Sequence, residues 1–128
     1  MEYTITWGGD PEDVLVVTSG DVSIEGLDAM TQEALGDPRF REGMKILLDH
    51  TALRWWAASN EDVRRRADQV RRDGHRLGRQ RVAFVVGSPI DYSIGTMLQG
   101  LLTGTELETE VFNTVADARD WLRSAEKS

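Results

Sequence analysis

Three groups of residues in this 128-residue chain have types and spacing suited to chemistry or recognition. The first is Asp49-His50-Thr51, with Ser88 and Tyr92 further along. A carboxylate, an imidazole and a hydroxyl make an acyl-transfer site when they converge. Adjacent residues of an extended strand point to opposite faces, so Asp49 and His50 diverge. The chain also has no Gly-x-Ser-x-Gly elbow. A hydrolase is therefore disfavoured, no catalytic residue is assigned, and the reading is non-enzymatic. His50 and His75 do not share metal-ligand spacing, and cysteine is absent, so no metal or cofactor is implied.

The second group is Ser59 at the start of a helical pattern. A serine there caps the free backbone N–H groups, and a phosphate on it would face the positive helix end. The third group is the pair Trp55-Trp56 with the arginines Arg64, Arg65, Arg71, Arg72 and Arg79. If the chain is extended at the pair, one indole enters the core and the other faces out, and exposed Trp is enriched at binding hot spots; equally, both rings can fold over the helix and close the core edge. The arginine face is either a solvated helix surface or a dock for an acidic partner.

The elements that must position these groups follow from hydrophobic periodicity. Tyr3, Ile5 and Trp7 alternate with threonines as a half-buried strand, and Gly8-Gly9-Asp10-Pro11 turns the chain. Val14 to Val17 reads as a second strand ending at Ser19-Gly20, so the two form a hairpin. Ser23 caps a first helix whose inner face is Ile24, Leu27, Thr31, Ala34 and Leu35, and which stops near Gly36-Asp37-Pro38. Met44 to Leu48 is an apolar run suited to a central strand covered on both faces. Thr51 to Ala58 reads as a loop.

From Ser59, the stripe Val63, Ala67, Val70, Gly74 and Leu77 predicts one long helix ending near Gly78, with Asp62 completing a short capping box. Asp68 is placed to pair with nearby arginines. The run from Gln80 to Leu122 then reads strand (Arg81 to Val86), helix (around Ile94 to Leu102), strand (Leu107 to Phe112) and helix (closing on Trp121-Leu122). That alternation predicts a sheet with parallel pairing covered by helices. The asparagine-free break Gly87-Ser88-Pro89 and the segment Asp49-His50 follow strands. If those strands are parallel neighbours, Asp49, His50, Ser88 and Tyr92 share one rim, where open α/β sheets bind ligands.

Composition bounds the function. A chain this long folds as one domain and buries about two-thirds of its unfolded surface. Its net charge of −7 opposes general nucleic-acid binding. The charge is uneven: residues 54–81 carry nine arginines against four acids. No apolar run approaches the ~20 residues that span a bilayer. The N-terminus lacks a basic region followed by an apolar stretch. With no cysteine, these features suggest a soluble protein of the cytoplasm.

Taken in order, Gly20-Asp21-Val22-Ser23, Asp37-Pro38-Arg39-Phe40, Ile46-Leu47-Leu48-Asp49, Arg81 to Val86, Val111-Phe112 and Ala118-Arg119-Asp120-Trp121-Leu122 resemble the SpoIIAA-like family, the STAS/Sec14-like group of small bacterial proteins. The resemblance covers nearly the whole chain and rests on order and spacing. It implies a single α/β domain over residues 1–128, a mixed sheet of about five strands with about four helices. It also implies a regulatory binding module. In anti-anti-sigma relatives a serine at the start of the helix after the central strand is phosphorylated. The matching position is Ser59, within Ala58-Ser59-Asn60 where the relatives carry Asp-Ser.

The functional expectation is a non-enzymatic regulatory module that binds a protein partner or a second copy. The alternative is a carrier of a small apolar or lipid-like ligand. A regulator predicts a shallow surface with exposed Trp and Arg (Trp55, Trp56, Arg65, Arg72). A carrier predicts a closed apolar pocket under the helix from Asp91 to Leu102.

Overall fold

The computed structural model describes residues 1–124. Strands β1 (Glu2–Trp7) and β2 (Val14–Asp21) form the expected hairpin. Helix α1 (Ile24–Leu35) leads to β3 (Lys45–Arg54), a 3-10 turn at Trp55–Ala57, and helices α2 (Asn60–Arg72) and α3 (Gly74–Leu77). Strand β4 (Arg81–Val86), helix α4 (Pro89–Leu101), strand β5 (Glu108–Phe112) and helix α5 (Val115–Ser124) complete the chain. The sheet order is β1-β2-β3-β4-β5, antiparallel at β1-β2 and parallel thereafter. A mixed five-stranded α/β sheet is thus present, as the alternation in the sequence requires.

Local chemistry accounts for the boundaries. Ser23 Oγ accepts from the Gly26 N–H at 3.0 Å and opens α1. Ser59 Oγ accepts from the Asp62 N–H at 3.1 Å, while Asp62 returns an acceptor to the Ser59 N–H at 3.0 Å, a reciprocal capping box on α2. The long helix expected from Ser59 to Gly78 is broken: Asp73 ends α2, and α3 stops at Gly78, whose φ of 63° suits a residue without a Cβ. That short α3 is the helix by which the structure exceeds the four expected.

The core has two layers. Helices α1, α2 and α4 cover one face, where Val14, Val16, Leu27, Val63, Leu98 and Leu102 pack together. Helix α5 covers the other, with Leu47, Ala83, Val85, Ala118 and Leu122 fully buried. Alternation along β4 sends Val82, Phe84 and Val86 to the first face and Ala83 and Val85 to the second. The Arg81 guanidinium stacks 3.8 Å from the centre of the Trp121 ring, and Nη2 donates to the Trp121 carbonyl at 2.7 Å, so α5 is tied to β4 beyond its apolar contacts.

Strand β3 is the main departure from the sequence reading. It continues through Asp49-His50-Thr51 and Ala52-Leu53-Arg54, which the polarity of the sequence suggested was loop. Pairing with β2 supports the extension: Ser19, Gly20 and Asp21 match Ala52, Leu53 and Arg54 after a register shift beyond Val17. Tertiary hydrogen bonding overrides local polarity here.

Candidate functional site

The carboxyl ends of β3 and β4 meet where the 3-10 turn approaches the start of α4. The tryptophan pair divides here. Trp55 is 4% exposed, inside the core and edge-on to His50 with ring centres 5.8 Å apart. Trp56 is 63% exposed. Of the two arrangements open to the pair, the structure has one ring in and one out, on a 3-10 turn in place of an extended chain. Trp55 is therefore a core residue and not part of an interaction surface.

Ser88 Oγ accepts from the Asp91 N–H at 3.1 Å and caps α4, with Pro89 at its first turn. Ile90 is 63% exposed, and Tyr92 is also exposed. Between them Asp91 is buried, and its Oδ1 has no hydrogen-bond partner. Burial raises the Asp91 pKa, against the Ser88 hydrogen bond and the Trp56 backbone N–H that favour its charged form. Trp56, Ile90 and Tyr92 thus put three large apolar side chains in water beside a buried carboxyl group. Ser59, exposed, lies three residues after Trp56.

The rim expected from Asp49, His50, Ser88 and Tyr92 is not assembled as one site. Because β3 runs past them, Asp49 and His50 lie inside the sheet, paired with Val85 and Val86 of β4. They point to opposite faces, as strand geometry demands. Asp49 Oδ1 accepts from the Thr51 hydroxyl at 2.7 Å and the Thr51 N–H at 3.1 Å. His50 is buried beneath the helices, with Nδ1 2.6 Å from Thr18 Oγ1. Burial, then the Arg66 charge, push its pKa down to about 3 against a weaker opposing pull from Asp49, so His50 is neutral. The hydroxyl–imidazole pair has the geometry of an activated nucleophile, but Thr18 is sealed in the core. Only Ser88 and Tyr92 remain at the sheet end.

The arginine face is also engaged within the fold. Arg65 pairs with Glu25 at 2.7 Å and Arg72 with Asp28 at 2.6 Å, both on α1. Arg71 donates through Nε to the Leu101 carbonyl at 3.1 Å and through Nη2 to the Thr103 carbonyl at 3.0 Å. These side chains stitch α2 to α1 and to the end of α4, in place of the Asp68 pairs that helix spacing suggested. Arg65 and Arg72 are not a free cationic surface.

An apolar cavity of about 100 Å³ lies between the sheet and helices α1, α2 and α4. Phe40, Leu48, Val70, Phe84 and Leu102 are among its walls. It runs under α4 at Leu98 and Leu102, where a carrier was expected to hold its ligand. Arg66, Thr31 and Gln80 are polar residues among its otherwise almost wholly apolar lining. Gln80 is fully used: its Oε1 accepts from Met44 N–H, and its Nε2 donates to the Arg41 and Leu77 carbonyls. Arg66 is 7% exposed. Sequence reasoning missed it because an arginine beside four others read as surface. Its position gave the signal: three residues after Val63 and four before Val70, it falls on the buried stripe.

Among the described residues no group of three or more His, Asp or Glu is placed to hold a metal ion, and no helix is long and apolar enough to cross a membrane. No protein-family model matches the chain, and no curated protein matches it. Among solved structures it is similar to an uncharacterised protein of the DUF3478 family with a SpoIIAA-like fold from Shewanella loihica PV-4. The two share 18% identity over 94% of this chain and 93% of the other, with a TM-score of 0.61. At that identity the likeness establishes a SpoIIAA-like fold.

Proposed function

On this SpoIIAA-like frame, we propose that the protein is a non-enzymatic regulatory module that works by binding a protein partner. The contact surface is the rim of Trp56, Ile90 and Tyr92. The observation that carries this reading is the 63% exposure of both Trp56 and Ile90 on adjoining segments. Large apolar side chains grouped in water are unfavourable in a monomer and characteristic of binding surfaces. The rim sits on the end of the sheet, so rigid elements hold it. Ser59, three residues away, is where a phosphate would alter the surface by adding charge.

The test is site-specific photo-crosslinking in host extract. A photoreactive residue replaces Ile90 in one variant and Thr4, on the edge strand β1, in a control. The proposal expects a discrete adduct from position 90 that Trp56→Ala removes, with none from position 4. An adduct of two copies of the chain identifies a homodimer. Adducts indifferent to Trp56→Ala, or absent from position 90, refute the rim.

A second reading, a binder of a small apolar ligand, is supported by the cavity beneath α4. A largely apolar enclosure with a few convergent polar groups is the usual form of a small-molecule site.

A further inference from the structure

Arg66 combines burial, a charge and the want of a charged partner. A guanidinium carries five N–H donors. Nη2 of Arg66 donates to Thr31 Oγ1 at 2.8 Å, and Nη1 to Gln69 Oε1 at 3.3 Å. No carboxylate among the described residues forms an ion pair with it. The nearest acids are taken: Asp28 and Asp73 both accept from Arg72, at 2.6 Å and 3.1 Å. Thr31 is committed as well, since its hydroxyl donates to the Leu27 carbonyl at 3.0 Å. Burial lowers the Arg66 pKa to about 10, against the pull of Asp28 and Asp73, which leaves it cationic at neutral pH. A buried guanidinium hydrogen-bonded only to neutral oxygens, with its carboxylate neighbours paired elsewhere, carries a desolvation cost that a bound anion would offset.

We propose that the cavity binds a small monocarboxylic acid with an apolar body of about three or four carbons, the carboxylate seated on Arg66 and the body among Phe40, Val70 and Leu102. This rests on the second reading above and is independent of the rim. Three arguments set the class. The planar fork of a guanidinium matches a carboxylate. A single negative charge neutralises Arg66, whereas a doubly charged phosphate would bring an unbalanced charge into an apolar enclosure. The space, about 100 Å³, is smaller than the roughly 150 Å³ cavity that holds the six carbons of benzene in another protein, which limits the body beside the carboxylate to about three or four carbons.

The test is titration of the whole protein with butyrate and pentanoate against their neutral amides. Binding is followed by the fluorescence of Trp7, which lines the cavity, and by amide NMR shifts. The proposal expects saturable binding of an acid at least tenfold tighter than its amide, with shifts centred on α1, α2 and α4. Arg66→Met reverses that preference, and Ala34→Leu, which fills the cavity, weakens acid and neutral probes alike. If the amide binds as well as the acid, the carboxylate assignment falls while the ligand-binding reading stands. If no probe saturates, both fall. Should Arg66→Met fail to fold, the acid-against-amide comparison on the unaltered chain decides alone.

Discussion

Thr18 Oγ1 and His50 Nδ1 lie 2.6 Å apart in the core, joining β2 to β3 at the point where their register shifts. The contact gives the imidazole one polar partner in a site too dry to charge it. The pKa of His50 falls from 6.5 to about 3, so the folded protein resists a proton that the unfolded chain accepts. With the folded value below the unfolded one, the stabilising effect is complete above pH 6.5 and is lost as pH falls through the window toward 3. The expected slope within that window is about 1.4 kcal/mol per pH unit. Urea unfolding at pH 7, 6 and 5 measures it, and His50→Gln, which keeps a polar contact without titrating, should flatten the curve. Identical slopes for both proteins would show that another group governs the acid sensitivity.

The two tryptophans should respond in opposite ways. Trp55 is enclosed against His50 and the α4 side chains, so Trp55→Ala opens a core cavity and costs about 3–5 kcal/mol. Trp56 stands in water, and Trp56→Ala should change stability by no more than about 0.5 kcal/mol. Chemical denaturation separates them. Equal, severe losses would place both rings in the core and remove the rim.

Glu12 and Arg119 form the principal ion pair between the hairpin and α5. Arg119 Nε and Nη2 reach the two carboxylate oxygens of Glu12 at 3.1 Å and 2.8 Å. Burial alone would raise the Glu12 pKa, but the Arg119 hydrogen bonds, the Glu12 backbone N–H and the charges of Arg119 and Arg123 together outweigh it and hold the carboxyl below its usual range. Arg119→Met leaves Glu12 charged and enclosed. Full burial of both partners would make that loss 3–5 kcal/mol; the partial exposure of Arg119 reduces it to about 2 kcal/mol. Adding Glu12→Gln should recover part of the loss, because the stranded charge is gone. A double variant as unstable as Arg119→Met would show that packing, and not charge, sets the effect.

Legibility in the sequence followed the range of the forces involved. Ser23 and Ser59 were readable as helix starts because capping is settled within three residues, whereas Ser88 was read only as part of a break and turns out to cap α4. The strand Arg81–Val86 was readable because both its faces are apolar. Strand β3 was read six residues too short, since Asp49, His50 and Thr51 are polar and their pairing partners lie more than 30 residues away. Arg66 was hidden for a different reason: its place on the Val63–Val70 stripe marked it as inward, but its charge, beside the exposed Arg64 and Arg65, made it read as surface. The rim was half visible. Trp56 stood out by type, whereas Ile90 was not singled out, since it falls between the Gly87-Ser88-Pro89 break and the helix read around Ile94.

Ser59 offers the last test, because its structural and regulatory roles can be separated. Its hydroxyl caps α2, and Ser59→Ala should cost about 1 kcal/mol. Aspartate caps a helix about as well as serine, so Ser59→Asp should keep that contribution while placing a negative charge near Trp56. Glu61 and Asp62 already lie in the first turn, so the added charge meets mild repulsion, and a change of a few tenths of a kcal/mol is expected. A phosphorylation switch predicts that Ser59→Asp abolishes the crosslink at position 90 while its thermal midpoint stays near that of the unaltered chain. Ser59→Ala should show the reverse, a lower midpoint with the crosslink retained. If both variants keep the crosslink, and intact-mass measurement on protein from its own host finds no added phosphate, Ser59 is a helix cap alone.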